Sequence, residues 1–253
     1  MPIIFVGAFA AFGAAGLWAG RAMAQRLFGE ERHWAEVLTL TLHLATIFYS
    51  LLLALLAVAA YESYSETQRT VSREATTLSV LYRDVSGFSE PTRSTLQQEL
   101  KDYTHYAVDE AWPEQQRGVV PREGVARTTE FQNTLLAYKP AEGDRALTEA
   151  AIAQFNNFAD ARRDRLDAVT DRLPDLLWAV LTVGILISIA LVWFLPVESV
   201  KAHLFITVAY AVLSSLVLAL VVAMDNPFRG AFSVSSEDFQ LLLRTLMASD
   251  TRQ

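Results

Sequence analysis

The chain has 253 residues, of which 52% are hydrophobic and 19% charged, with a formal net charge of −7. That acidic balance excludes the basic face that nucleic-acid binding needs, and the absence of cysteine excludes disulfides, thiolate metal sites and cysteine nucleophiles. The apolar residues fall in a few blocks around a polar centre, which marks a membrane protein with a polar insert and not a uniformly apolar globule.

Residues 3–20, IIFVGAFAAFGAAGLWAG, form the first apolar block. It is read as a first span; as a cleaved signal peptide it lacks the positive lead-in, since only Met1 and Pro2 precede it. Gly16 and Gly20 form a GxxxG spacing, extended by Gly13 and neighbouring alanines, a small-residue surface that lets another helix approach closely. Residues 21–36 are expected to be a short amphipathic connection carrying Arg21, Arg26, Glu30, Glu31, Arg32 and Glu36, with Trp34 suited to the membrane–water interface.

Residues 37–60, VLTLTLHLATIFYSLLLALLAVAA, contain no Asp, Glu, Lys or Arg. About 20 apolar residues suffice to cross a bilayer as a helix, so this is the second span. Thr39, His43, Thr46 and Ser50 recur at steps of four, three and four, which places them on one helical face. A polar stripe in hydrocarbon faces protein or water. Two readings stand: a pathway lining, or hydroxyls bonded back to their own helix with His43 joining two helices.

From residue 61 to 172 the chain is polar and helical. Glu62–Glu66, Glu66–Arg69 and Arg69–Arg73 sit at i,i+4 or i,i+3, as expected of a helix continuing out of the membrane. Pro91 ends it. A second helix is expected over Thr92 to about Trp112, with Leu96, Leu100, Tyr103 and Ala107 on one face. Pro113, Gly118 and Pro121 mark a loop, and a third helix covers about Arg122 to Tyr138. After KPAEGD a fourth runs from about Arg145 to Arg172, with Leu147, Ala151, Phe155, Phe158, Leu166, Val169 and Leu173 inward. Together they make a small bundle whose outer helices continue the second and third spans. The insert's modest acidic excess, 19 Asp and Glu against 14 Lys and Arg, suits a solvated surface or, with several copies around a pore, a cation-attracting vestibule. The run Arg162, Arg163, Arg165 is assigned to the helix surface, with lipid headgroup contact as the alternative. Carboxylates are plentiful, but no buried acid–base pair stands out.

The third span is 176–195 and the fourth 203–224, the latter with Thr207, Tyr210, Ser214 and Ser215 on a polar side. Asp225-Asn226-Pro227 then stops the helix, Phe228 and Arg229 follow, and Gly230 permits a tight turn. Ser235 or Ser236 is placed to cap a last amphipathic helix bearing Phe239, Leu242, Leu243 and Leu246. The chain is thus an all-α, four-transmembrane-helix protein with a helical bundle inserted between spans 2 and 3. It divides into 1–60 (spans 1 and 2), 61–172 (the bundle), 173–224 (spans 3 and 4) and 225–253 (turn and C-terminal helix). Loop charges tip the short connections toward the cytoplasm, while Arg162, Arg163, Arg165 and Arg172 pull the other way.

No nucleophile elbow, phosphate loop or metal-ligand spacing occurs, so no enzyme, cofactor or metal is read from the chain. The tail MDNPFRGAFSVSSEDFQ resembles the signature of the bestrophin-like family of bacterial and plant membrane proteins of unknown function. The resemblance extends to Glu74-Ala75 with Leu81-Tyr82, to Tyr106, Val108, Glu110 and Trp112-Pro113, and to Arg165-Leu166, Leu173-Pro174 and Leu177-Trp178. Through Asn226-Pro227-Phe228 it reaches true bestrophins, whose following acids help hold calcium; here only Glu237 and Asp238 remain, so a calcium clasp is not carried over.

The resemblance implies a homo-oligomer, pentameric as in bestrophins, in a bacterial inner membrane, passing small inorganic ions, anions in the bestrophin case. It also implies a cytoplasmic bundle, against the loop charges. On this reading Thr39, His43, Thr46 and Ser50 line the pore, and His43 lends pH sensitivity. Asp225 to Gly230 serve as a structural turn, with a gate or subunit contact as the alternative. A rival class is a non-conducting sensor or scaffold whose bundle binds a partner or ligand.

Overall fold

The computed structural model describes residues 2–28, 32–140, 145–230 and 232–248, and among them there are helices and no strand. In chain order the helices are α1 (Pro2–Phe28), α2 (Arg32–Val85), α3 (Thr92–Tyr106), α4 (Trp112–Gln116), α5 (Gly124–Ala137), α6 (Arg145–Asp167), α7 (Asp175–Trp193), α8 (Val200–Met224) and α9 (Glu237–Leu242). A π-helical turn, Ala107–Ala111, joins α3 to α4, and a second, Leu243–Met247, follows α9. The chain forms two compact units, Met1–Glu62 with Leu173–Asp225, and Ser63–Arg172 with Asn226–Gln253.

The first unit holds four helices long and apolar enough to cross a membrane. The small-residue face of α1 receives Trp193 of α7. A Cβ at Gly16 would lie 2.0 Å from the Trp193 ring, and one at Gly20 would lie 2.4 Å from its Cβ. The indole N–H donates to the Gly13 carbonyl at 3.0 Å, so the polar edge of the ring is satisfied where it enters the groove. Gly184 of α7 does the same for α2: Tyr49 lies over it and donates to the Leu181 carbonyl at 3.2 Å. Leu53, Leu56 and Ala60 bury with Tyr49, while Leu40, Leu44, Ile47, Phe48 and Leu51 stay exposed, as a lipid-facing side requires. α1 also runs further than the expected first span. It continues to Phe28, so Arg21 is a helical residue, and only 29–31 of the expected connection lie between α1 and α2, outside the described residues.

In the second unit α2 does continue as one helix through the polar sequence to Val85, with Glu66 and Arg69 paired at i,i+3. Leu96, Leu100, Tyr103 and Ala107 are buried on one face, with Leu78, Leu81 and Tyr82 of α2 and Phe155 and Phe158 of α6 in the same core. Two boundaries differ from expectation. Pro113 is inside α4, in a run that stays helical from α3 through the π turn, and the widened turn before it eases the proline's fit. The loop therefore begins at Arg117. α6 ends at Asp167, and residues 168–174 are turn and extended chain, so α6 and α7 are separate helices. Pro174 disfavours helix at the residue before it and forms the N-cap of α7.

Candidate functional site

Thr39, His43, Thr46 and Ser50 occupy a single face of α2, between the packed side of Tyr49, Leu53 and Leu56 and the exposed side of Leu40, Leu44, Ile47 and Leu51. His43 and Ser50 are exposed; Thr39 and Thr46 are half-buried. Thr39 returns its hydroxyl to the Ala35 carbonyl at 2.7 Å. The side chains of His43, Thr46 and Ser50 hydrogen-bond to none of the described residues. Back-bonding thus accounts for Thr39 alone, and among the described residues His43 joins no second helix.

The tail motif is built differently. Asp225 is the C-cap of α8 and only 6% exposed. Its carboxylate accepts the Leu173 backbone N–H at 2.7 Å and the Trp178 indole N–H at 3.1 Å. A negative group is thereby fixed at the start of α7, where the helix dipole favours it. Beyond it, Phe228 packs edge-on to Trp112 with centroids 5.7 Å apart. Arg229 donates to the Arg117 carbonyl at 2.6 Å and lies over Gly118, whose φ of +75° and missing Cβ both suit glycine. Gly230 turns the chain at φ +86°. Ser236 is the N-cap residue of α9 and makes no side-chain cap bond; the Ser235 hydroxyl before it accepts the Glu237 N–H at 3.0 Å. Asp238 accepts the Ser72 hydroxyl at 2.5 Å. No group of three or more His, Asp or Glu side chains among the described residues is placed to hold a metal ion.

A third constellation was not foreseen. Glu74 (0% exposed) and Arg165 (1%) form an ion pair in the core of the bundle, with Arg165 Nε on Glu74 Oε2 and Nη2 on Oε1 at 3.1 Å. Tyr103 donates to Glu74 Oε1 at 2.6 Å. The guanidinium lies 5.7 Å from both the Trp112 and the Phe239 ring centroids. Burial works against its charge, and the Glu74 carboxylate outweighs that, so Arg165 holds its proton more firmly than usual. Burial, then Glu74, pushes the Tyr103 hydroxyl up. Arg165 is therefore neither a surface charge nor a headgroup ligand. The available signal was its register: Phe158, Ala161, Arg165 and Val169 form one buried face of the chain.

Residues 7–239 match the family model of the Bestrophin-like domain. The chain belongs to the bestrophin-like family. No curated protein matches it. Its fold is that of a bacterial bestrophin homolog from Klebsiella pneumoniae: that structure is 14% identical with a TM-score of 0.70, covering 96% of this chain and 98% of the other. Two point variants of the same homolog, each 12% identical, give TM-scores of 0.73 and 0.71, over 96% and 100% of this chain and 99% and 98% of theirs.

This bestrophin-like protein is an integral membrane protein, with four apolar helices of spanning length. Its signature residues assemble pairwise in space. Glu74 meets Arg165, Trp112 meets Phe228, and Leu173 and Trp178 meet Asp225. All three pairs brace helices within a unit, whereas His43, Thr46 and Ser50 on the polar face of α2 hydrogen-bond to none of the described residues.

Proposed function

We propose that the chain assembles as a homo-oligomer, a pentamer by its resemblance to bestrophins, and forms an ion channel for small anions in a bacterial inner membrane. The second span, with Thr39, His43, Thr46 and Ser50, lines the pathway. The observation that carries this reading is the polar face itself: three of its four side chains have no partner among the described residues, and two are exposed. Polar groups at membrane depth are costly against lipid, and water in a central pathway removes that cost. No catalytic step is assigned. Asp225 to Gly230 act as a brace and turn and not as a gate.

The native chain lacks cysteine, so single cysteines introduce a unique reporter. In reconstituted protein, Thr46→Cys and Ser50→Cys react with a membrane-impermeant thiol reagent, whereas Leu44→Cys and Phe48→Cys do not. Equal, slow labelling at all four positions would refute the lining role. The rival reading, a non-conducting sensor or scaffold, draws on an open acidic groove of about 680 Å³ in the second unit, lined by Glu66, Asp164, Asp167 and Asp171. A monomer or dimer in the membrane would favour it.

A further inference from the structure

Arg21 lies inside the candidate span Ile4–Ala24, three residues from its end. Its Nη1 donates to the Val197 carbonyl at 2.9 Å and stands 3.1 Å from Nδ1 of His203. His203 is fully buried in the first turn of α8, and its Nε2 lies 2.9 Å from the Val192 carbonyl. A guanidinium only donates and a carbonyl only accepts. The imidazole therefore carries its proton on Nε2 and turns a lone pair on Nδ1 toward Arg21. Both acceptors of Nη1 are neutral. Among the described residues Arg21 makes no ion pair, and its Nε and Nη2 have no partner.

The depth of this group is set by its neighbours. Val197 belongs to the connection between α7 and α8, and exposed Trp18 lies one turn earlier on α1, the side chain that favours the bilayer interface. A fixed, half-buried guanidinium at headgroup level retains an uncompensated charge and three free N–H donors in the fork that matches two oxygens of one phosphate. Lys201, exposed on the same first turn of α8, adds a second positive charge.

We propose that Arg21, positioned by His203, is a binding site for a phosphate oxyanion, supplied by an anionic phospholipid headgroup or by free phosphate. His203 is the positioning residue; Arg21 makes the contact. The inference concerns a site apart from the polar face of α2 and does not depend on conduction.

The test is binding to the full chain, delipidated in neutral detergent and titrated with phosphatidylglycerol, diacylglycerol and inorganic phosphate, read by the shift in thermal unfolding midpoint. Wild type is expected to bind phosphatidylglycerol at least about fivefold more tightly than Arg21→Gln, with Arg21→Lys between them. Competition by inorganic phosphate identifies the free anion as sufficient; no competition identifies the lipid. Equal binding by wild type and a folded Arg21→Gln overturns the site. Should that variant not fold, a wild-type protein that responds equally to phosphatidylglycerol and to diacylglycerol, which lacks the phosphate, overturns it as well.

Discussion

The carboxylate of Glu74 on α2 and the guanidinium of Arg165 on α6, 91 residues apart in the chain, face each other without contact with water. Two groups of this kind, taken from water together, gain from their mutual hydrogen bonds and leave a large penalty when one is removed. Glu74→Leu or Arg165→Met should each destabilise the protein by about 3–5 kcal/mol, because the surviving partner remains buried and unpaired. The double variant Glu74→Leu/Arg165→Met should lose much less than the two single losses together. Thermal unfolding followed by helical circular dichroism measures all three; additive losses would contradict the pairing.

Trp193 occupies space that exists only because Gly16 has no side chain. Gly16→Ala should cost about 1–3 kcal/mol by overpacking. In a Trp193→Leu background the same substitution should cost nearly nothing, since the ring that it meets is gone. A double-mutant cycle in detergent reads the coupling directly.

Asp225 has two donors on two oxygens. Asp225→Asn replaces one acceptor by an amide that can only donate, so either the Leu173 or the Trp178 N–H loses its bond. The expected loss is about 1–3 kcal/mol. Trp178→Phe should lose less, because it removes the donor together with its bond and leaves no N–H unpaired, and unfolding midpoints of the two variants should rank in that order.

Glu99 supplies a pH signature. Burial raises its carboxyl above the ordinary 4.5; the Thr134 hydrogen bond opposes that, and Glu130 and Asp102 add to it. One of its oxygens, Oε2, is buried without a partner. A carboxylate whose folded value is raised binds protons more readily folded than unfolded, so it destabilises above the folded value and ceases to as pH falls through it. Glu99→Gln should therefore raise the unfolding midpoint at pH 7 and have no such advantage below about pH 4.5. A difference that does not change with pH would contradict this.

The spans were legible because a bilayer demands a long apolar run, and the face of Thr39, His43, Thr46 and Ser50 because helical periodicity needs no tertiary information. The polar continuation of α2 shows in the sequence only through Glu66 and Arg69, its one attractive pair at helical spacing. Arg165 was misassigned because a run of three arginines looks solvated, and only its register with Phe158 and Val169 separates it from Arg162 and Arg163. Arg21 was misassigned because a charge after an apolar block looks like the start of a loop; its partners, Val197 and His203, are 176 and 182 residues away. Pro113 reads as a breaker in the sequence, yet it lies in a helical run that continues from α3 through the π turn. Local pattern carries helices and faces, whereas pairings across the chain arise only when helices meet.

Current across a planar bilayer, with purified protein under a salt gradient, tests the central claim most directly. The expected result is a unitary current that reverses near the anion equilibrium potential and is altered in size by His43→Ala. Silence in both orientations across pH and calcium, from protein that is folded and oligomeric, would contradict it and favour the sensor reading.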